Sequence, residues 1–241
     1  MAQPTEPPVK PTIVLVHGAF AESASWNAVI IELNKDGYKA IAAANPLRGV
    51  AGDAAAVSAI VQSISGPVVL VGHSYGGPVI TAAANGNANV KALVYVAGFV
   101  PDTGESSLTL SGMFPGSTLA GAITPVPLPD GSQDLYIKPD RFHAQFAADV
   151  PEAQARLMAA TQRPVAQAAL AEVSGVASWK SLPSYVIYGS KDRNIPPAVM
   201  RFMAERAHSI KTRVIEGASH AVMVSHPKEV ASLIEDAVKA P

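Results

Sequence analysis

The sequence predicts an α/β domain built on a mainly parallel six-stranded sheet, and three observations carry that reading. Short β-branched runs alternate with amphipathic stretches along most of the chain, the pattern of βαβ units. One run, Val68-Val69-Leu70-Val71, passes directly through Gly72-His73-Ser74-Tyr75-Gly76 into an apolar helical stretch. Two further runs, Tyr185–Tyr188 and Val214–Ile215, each lead into a loop that holds one polar residue able to take part in proton transfer.

The elements follow in order. Thr12–His17 reads as a strand, and Ser25–Lys35 as a helix with Trp26, Val29, Ile30 and Leu33 on one face. Tyr38–Ala43 is a strand. Asp53–Ile64 is a helix with Asp53 at its N-cap. The strand Val68–Val71 enters the glycine-flanked turn, and Tyr75–Ala84 is the helix behind it. Val90–Val96 is the next strand. The alternation resumes with strand Tyr185–Tyr188, helix Pro197–Ala207, strand Thr212–Ile215 and helix Lys228–Lys239.

Between Ala97 and Leu182 the alternation stops. Ser106–Pro129 has no charged residue and is rich in glycine, proline, serine and threonine. Arg141–Ala148, Pro151–Ala160 and Pro164–Ser174 read as helices. The expected division is a core of residues 12–100 and 182–241 with a helical cap over 101–181. That cap either packs a small core of its own or roofs the site, or both.

The turn at Ser74 carries the chemistry. A strand that reverses sharply into a helix leaves space only for small residues two before and two after the serine, and Gly72 and Gly76 meet that need. Its hydroxyl is pushed out in front of a helix N-terminus, where free N–H groups and the positive dipole end lie. An ordinary glycine-serine loop is the bland alternative; the strand before and the helix after favour a nucleophile. Asp192 follows a strand end and is the acid candidate, a helix cap or loop charge being its alternative. His220, in Gly217-Ala218-Ser219-His220, is the base candidate. His17, His73, His143, His208 and His226 are weaker: His73 lies inside the turn and is expected to point away from the pocket. The strand ending in His17-Gly18 precedes Ala19, and the resemblance of this arrangement to the α/β-hydrolases implies an oxyanion hole built from the Ala19 and Tyr75 N–H groups. Phe20, Phe99, Met113, Phe114 and Met223 are candidate wall residues of an apolar substrate pocket; each serves equally well as core.

With these motifs in hand, the chain resembles an α/β-hydrolase from about Pro11 onward. Within that superfamily it is similar to the group of esterases and hydroxynitrile lyases that includes the plant methyl-salicylate esterases, with many bacterial relatives. The resemblance rests on Val14–Phe20, Gly72–Gly77, Lys191–Pro196 and Gly217–His220. It implies a serine esterase acting through an acyl-enzyme on small, largely apolar carboxylic esters, with Ser74, Asp192 and His220 as triad. Lyase or perhydrolase chemistry at the same site is the nearest alternative. Plant-type lyases carry a threonine where this chain has Gly18 and a lysine where it has Ala221, which disfavours the first. A ligand-binding receptor on the same fold is the alternative from another class.

Composition bounds the rest. The 241 residues are 49% hydrophobic and 15% charged, enough apolar residues for one well-buried domain. A formal charge of −1 without a basic block disfavours nucleic-acid binding. The absence of cysteine excludes a thiol nucleophile, disulfides and thiolate metal sites. Neither metal nor other cofactor is implied, and a small-molecule ester is the expected partner; a homodimer stays open. No run has transmembrane length. Residues 1–11 read as a proline-rich, flexible lead-in, expected to be the remnant of an exported precursor whose signal peptide has been removed, with Met1 added. The compartment, cytoplasmic or exported, is not determined.

Overall fold

Strand β1 (Thr12–Val16) is buried at every position, and so are β3 (Val68–His73) and β8 (Ser184–Gly189), because helices cover both faces of the sheet they build. The computed structural model describes residues 9–239; most of the expected lead-in, residues 1–8, lies outside the described residues. The elements of the core are β1, α1 (Asn27–Lys35), β2 (Ala40–Ala43), α2 (Val50–Gln62), β3, α3 (Gly76–Ala83) and β4 (Val90–Val96). An insertion follows, containing α4 (Ser107–Ser111), α5 (Leu119–Ala122), β5 (Ile123–Pro127), β6 (Gln133–Ile137), α6 (Pro139–Phe146), α7 (Glu152–Thr161), β7 (Val165–Ala166) and α8 (Gln167–Ala171). The core closes with β8, α9 (Pro197–Arg206), β9 (Lys211–Ile215), α10 (Val222–Ser225) and α11 (Pro227–Val238).

The main sheet has six parallel strands in the order β2-β1-β3-β4-β8-β9, as the alternation predicts. Its register brings Val16 beside Gly72 and His73 beside Val96. The C-terminal ends of the central strands therefore lie side by side, where open α/β sheets carry their functional loops.

Two local expectations change. Helix α2 begins at Val50, three residues before Asp53, so Asp53 is not its N-cap. Its carboxylate instead reaches back from the first turn to the amides of Arg48 and Gly49. The next two orphan amides, Val50 and Ala51, are capped by Glu172 from the end of the insertion. Within the insertion, α6 and α7 form where helices are expected. The stretch Pro164–Ser174 gives β7 and only the short α8, because Val165 and Leu135 pair as strand partners. With β5 and β6 this makes a three-stranded antiparallel sheet that the helical expectation did not include.

Candidate active site

Ser74 occupies the bend between β3 and α3 with φ at +53°, a region that non-glycine residues enter only under constraint. The constraint is steric. A Cβ at Gly72 would stand 2.5 Å from the carbonyl oxygen of Gly76, so chain entering and leaving the bend touch backbone to backbone. Gly18 presses on the same bend from β1: a Cβ there would come within 2.6 Å of Ser74 Cβ and of the His73 carbonyl oxygen. Only a side chain without a methyl lets the two loops approach this closely.

Asp192 and His220 come together after β8 and β9. His220 Nδ1 lies 2.6 Å from Asp192 Oδ2, and both side chains are fully buried. A carboxylate accepts only, so Nδ1 carries the proton and Nε2 is left as the acceptor. That Nε2 is buried with no hydrogen-bond partner among the described residues. The other oxygen of Asp192 accepts the amides of Asn194 and Ile195 at 2.8 and 3.0 Å, which fixes the carboxyl plane.

The insertion holds the His220 loop. Ser219 donates both its amide (3.1 Å) and its hydroxyl to Asp149, and the Ala221 amide donates to the Phe146 carbonyl at 3.0 Å. The Phe146 ring meets His220 edge-on at 5.1 Å. Gln145 does the same for the Asp192 loop, donating to the Arg193 carbonyl and the Asn194 side chain while accepting from Thr118. Sequence reading missed Gln145 and Asp149, since no local pattern announces a contact made about 50 to 70 residues away.

His73 does not line the cavity over Ser74 and packs in the core against Trp26, Phe146 and His220. It is fully buried, its Nε2 donates to the His220 carbonyl at 3.1 Å, and burial holds its pKa well below the ordinary value. His17 is buried as well, with its Nε2 accepting the Asn45 amide, and burial lowers its pKa to about 4. Both are neutral imidazoles with structural bonds. His143 binds the Val150 carbonyl, and His226 faces Ser225 and Asp149.

A cavity of about 260 Å³ opens over Ser74. Ala19 and Tyr75 line it, and among the described residues neither of their N–H groups has a protein acceptor, whereas the Phe20 amide is taken by the Arg163 carbonyl at 3.0 Å. Its walls are largely apolar, with Phe20, Phe99, Leu119, Ile123, Leu135 and Leu170 among them. The other three wall candidates lie elsewhere. Met113 is 44% exposed outside the cavity, Phe114 packs on Phe202, and Met223 is buried core. Past the end of α4 the chain leaves Met113 exposed and seats Phe114, half-buried, against Phe202, which local hydrophobicity does not reveal. Among the described residues there is no cluster of His, Cys, Asp and Glu arranged to hold a metal, and no helix long and apolar enough to cross a membrane.

The fold, the strand–turn–helix at Ser74 and the buried Asp192–His220 pair define an α/β protein with its polar machinery at the C-terminal sheet edge. The chain belongs to the alpha/beta hydrolase family, whose model matches residues 13–233. It is 28% identical to a pyrethroid hydrolase of Sphingobium wenxiniae, over 95% of this chain and 88% of that protein. It is 32% identical to a carbendazim-hydrolysing esterase of Nocardioides sp. over 110 residues; that match spans 40% of this chain and 46%, just under half, of the esterase. The fold superposes on polyneuridine aldehyde esterase with a TM-score of 0.82 at 19% identity, covering 95% of this chain and 99% of the other.

Proposed function

We propose that this protein is a serine carboxylesterase for small, largely apolar esters. The observation that carries the reading is the buried His220–Asp192 pair, whose unpartnered Nε2 lies at the sheet edge that also presents Ser74 under an apolar cavity. The esterase and hydrolase relatives support ester hydrolysis as the reaction.

In this mechanism Ser74 Oγ attacks the ester carbonyl carbon and passes its proton to His220 Nε2. Asp192 holds the tautomer and stabilises the imidazolium. The Ala19 and Tyr75 N–H groups receive the negative oxygen. Collapse breaks the bond to the alkoxy group, which takes the proton from His220 and leaves as the alcohol. Water then adds to the acyl-enzyme with His220 as base and releases the acid and Ser74. The insertion, residues 101–181 against a core of 12–100 and 182–241, serves as a lid. It supplies Leu119, Ile123, Leu135 and Leu170 to the cavity wall and so favours uncharged acyl or alkyl groups.

The experiment is hydrolysis of p-nitrophenyl esters from acetate to octanoate by wild type and Ser74→Ala. The expected result is an optimum at short chains and a loss of ~10⁴–10⁶ in turnover in the variant. Activity that survives the substitution overturns the reading, and an inactive wild type turns attention to cyanohydrin cleavage.

A further inference from the structure

Asp53 is a buried acid that the proposed triad does not use. Its side chain has 0% exposure, on a face of α2 shared with Ala54, Val57 and Val61. Three donors converge on it: the Tyr75 hydroxyl at 2.9 Å, the Arg48 amide at 3.1 Å and the Gly49 amide at 3.5 Å. Tyr75 is the residue directly after Ser74, 1% exposed, and its own N–H is one of the two proposed oxyanion donors. A buried carboxyl with this many donors holds the phenol in one rotamer, and the phenol hangs from the same Cα that aims the N–H.

The same short segment carries the insertion. Arg48 pairs with Asp134 of β6 at 2.6 Å and donates to the Pro164 carbonyl at 3.1 Å. Glu172 accepts the Val50 and Ala51 amides, and the Leu47 carbonyl accepts the Ala166 amide at 3.0 Å. Residues 47–53 thus hold the insertion on one side and Tyr75 on the other.

We propose that Asp53 is a positioning residue for the oxyanion hole, fixing the aim of the Tyr75 N–H through the Tyr75 hydroxyl and keying it to the seat of the insertion. This rests on the serine-esterase reading of the site. Burial pushes the Asp53 carboxyl and the Tyr75 phenol up, so the phenol keeps its proton and stays a donor at neutral pH. A merely structural Asp53 would serve only the start of α2, which Glu172 already caps at the next two amides. Removing it would then lower stability and leave the chemistry intact.

The test compares wild type, Asp53→Asn, Asp53→Ala, Tyr75→Phe and the double variant Asp53→Ala/Tyr75→Phe. It reads kcat and KM on p-nitrophenyl butyrate, the rate of Ser74 phosphonylation by a fluorophosphonate, and the melting temperature. Misplacing a catalytic donor by about 1 Å costs on the order of 10²-fold. The expected result is a loss of about tenfold or more in kcat and in phosphonylation for Tyr75→Phe and Asp53→Ala, with KM little changed. The double variant is no worse than the poorer single, because both remove the same bond. Asp53→Asn, which still accepts from the phenol, recovers most of the rate. Tyr75→Phe removes a single oxygen and keeps the test decisive if Asp53→Ala does not fold. Full rates in Tyr75→Phe with a lowered melting temperature, or additive losses, overturn the positioning role alone. A wild type that the fluorophosphonate does not label overturns the esterase reading as well.

Discussion

The imidazole of His73, one residue before Ser74, donates to the backbone carbonyl of His220 at 3.1 Å, and the two rings stand 4.8 Å apart. The turn that presents Ser74 and the loop that carries His220 are therefore joined by a direct bond. Trp26 and Phe146 close around His73 edge-on, at 6.4 and 5.9 Å between centroids. The carbonyl it serves belongs to the same residue whose ring is bound to Asp192.

Replacing His73 by leucine leaves the His220 carbonyl buried without a donor, at a cost of about 1–3 kcal/mol. The expected outcome is that loss in urea unfolding together with reduced kcat. His73→Gln, which can still donate, retains more of both. Equal stability and equal turnover in His73→Leu would show that this bond between the loops is idle.

Two buried neutral histidines set an acid limb on stability. Above pH 6.5 neither the folded nor the unfolded chain protonates His17 or His73, so they contribute no pH dependence. Below it, the unfolded chain takes up protons that the buried rings refuse, and stability falls as pH falls. For His17 the fall runs from 6.5 to about 4. The slope is about 1.4 kcal/mol per pH unit for each ring. Urea unfolding at pH 7.5, 6, 5 and 4.5 checks this. His17→Asn should flatten part of the limb, and a flat wild-type profile between pH 6.5 and 4.5 contradicts it.

Gly18→Ala tests the contact between the two loops around Ser74. The added methyl has nowhere to go, with Ser74 Cβ and a backbone oxygen both at 2.6 Å. Overpacking of this kind costs about 1–3 kcal/mol. The displaced Ala19 loop should lower kcat/KM by about tenfold or more, since small misplacements of donors are costly. Steady-state kinetics with a melting curve measures both, and turnover within about threefold of wild type refutes the prediction.

Arg206 ties down both ends of the insertion. It pairs through both Nη atoms with Glu105 at 2.6 and 2.7 Å, donates to the Val100 carbonyl at 2.9 Å, and lies against the rings of Trp179 and Phe202. The backbone carbonyl of Glu105 in turn accepts the Ser174 amide at the far end of the insertion. The pair is only partly shielded from solvent, so Arg206→Ala should cost about 1–3 kcal/mol, and less in high salt. Arg206→Lys should not restore the loss, because an ammonium cannot reproduce the forked pairing. Thermal unfolding at low and high salt reads it, and a lysine variant as stable as wild type counts against the forked geometry.

The positions of Ser74, Asp192 and His220 were legible because each sits at a local event: a β-branched run ending in a turn, readable within ten residues. The same is true of the six-strand core, since the periods of strand and helix are written in neighbouring residues. What surrounds those residues was decided by tertiary structure alone. Asp53 looks like a helix cap in sequence, and folding makes it the acceptor for Tyr75 across the α2–α3 contact. Gln145, Asp149, Asp134 and Glu172 carry no local signature, yet they hold the Asp192 loop, the His220 loop and the start of α2. Met113 and Phe114 are as hydrophobic as Phe20 and Phe99, and only the path of the chain leaves the first pair outside the cavity, Met113 exposed and Phe114 against Phe202, and brings the second into its wall. Local backbone preference and hydrophobic period specify elements from sequence; which side chains meet across about 20 to 120 residues depends on how those elements pack, and that the chain settles only when folded.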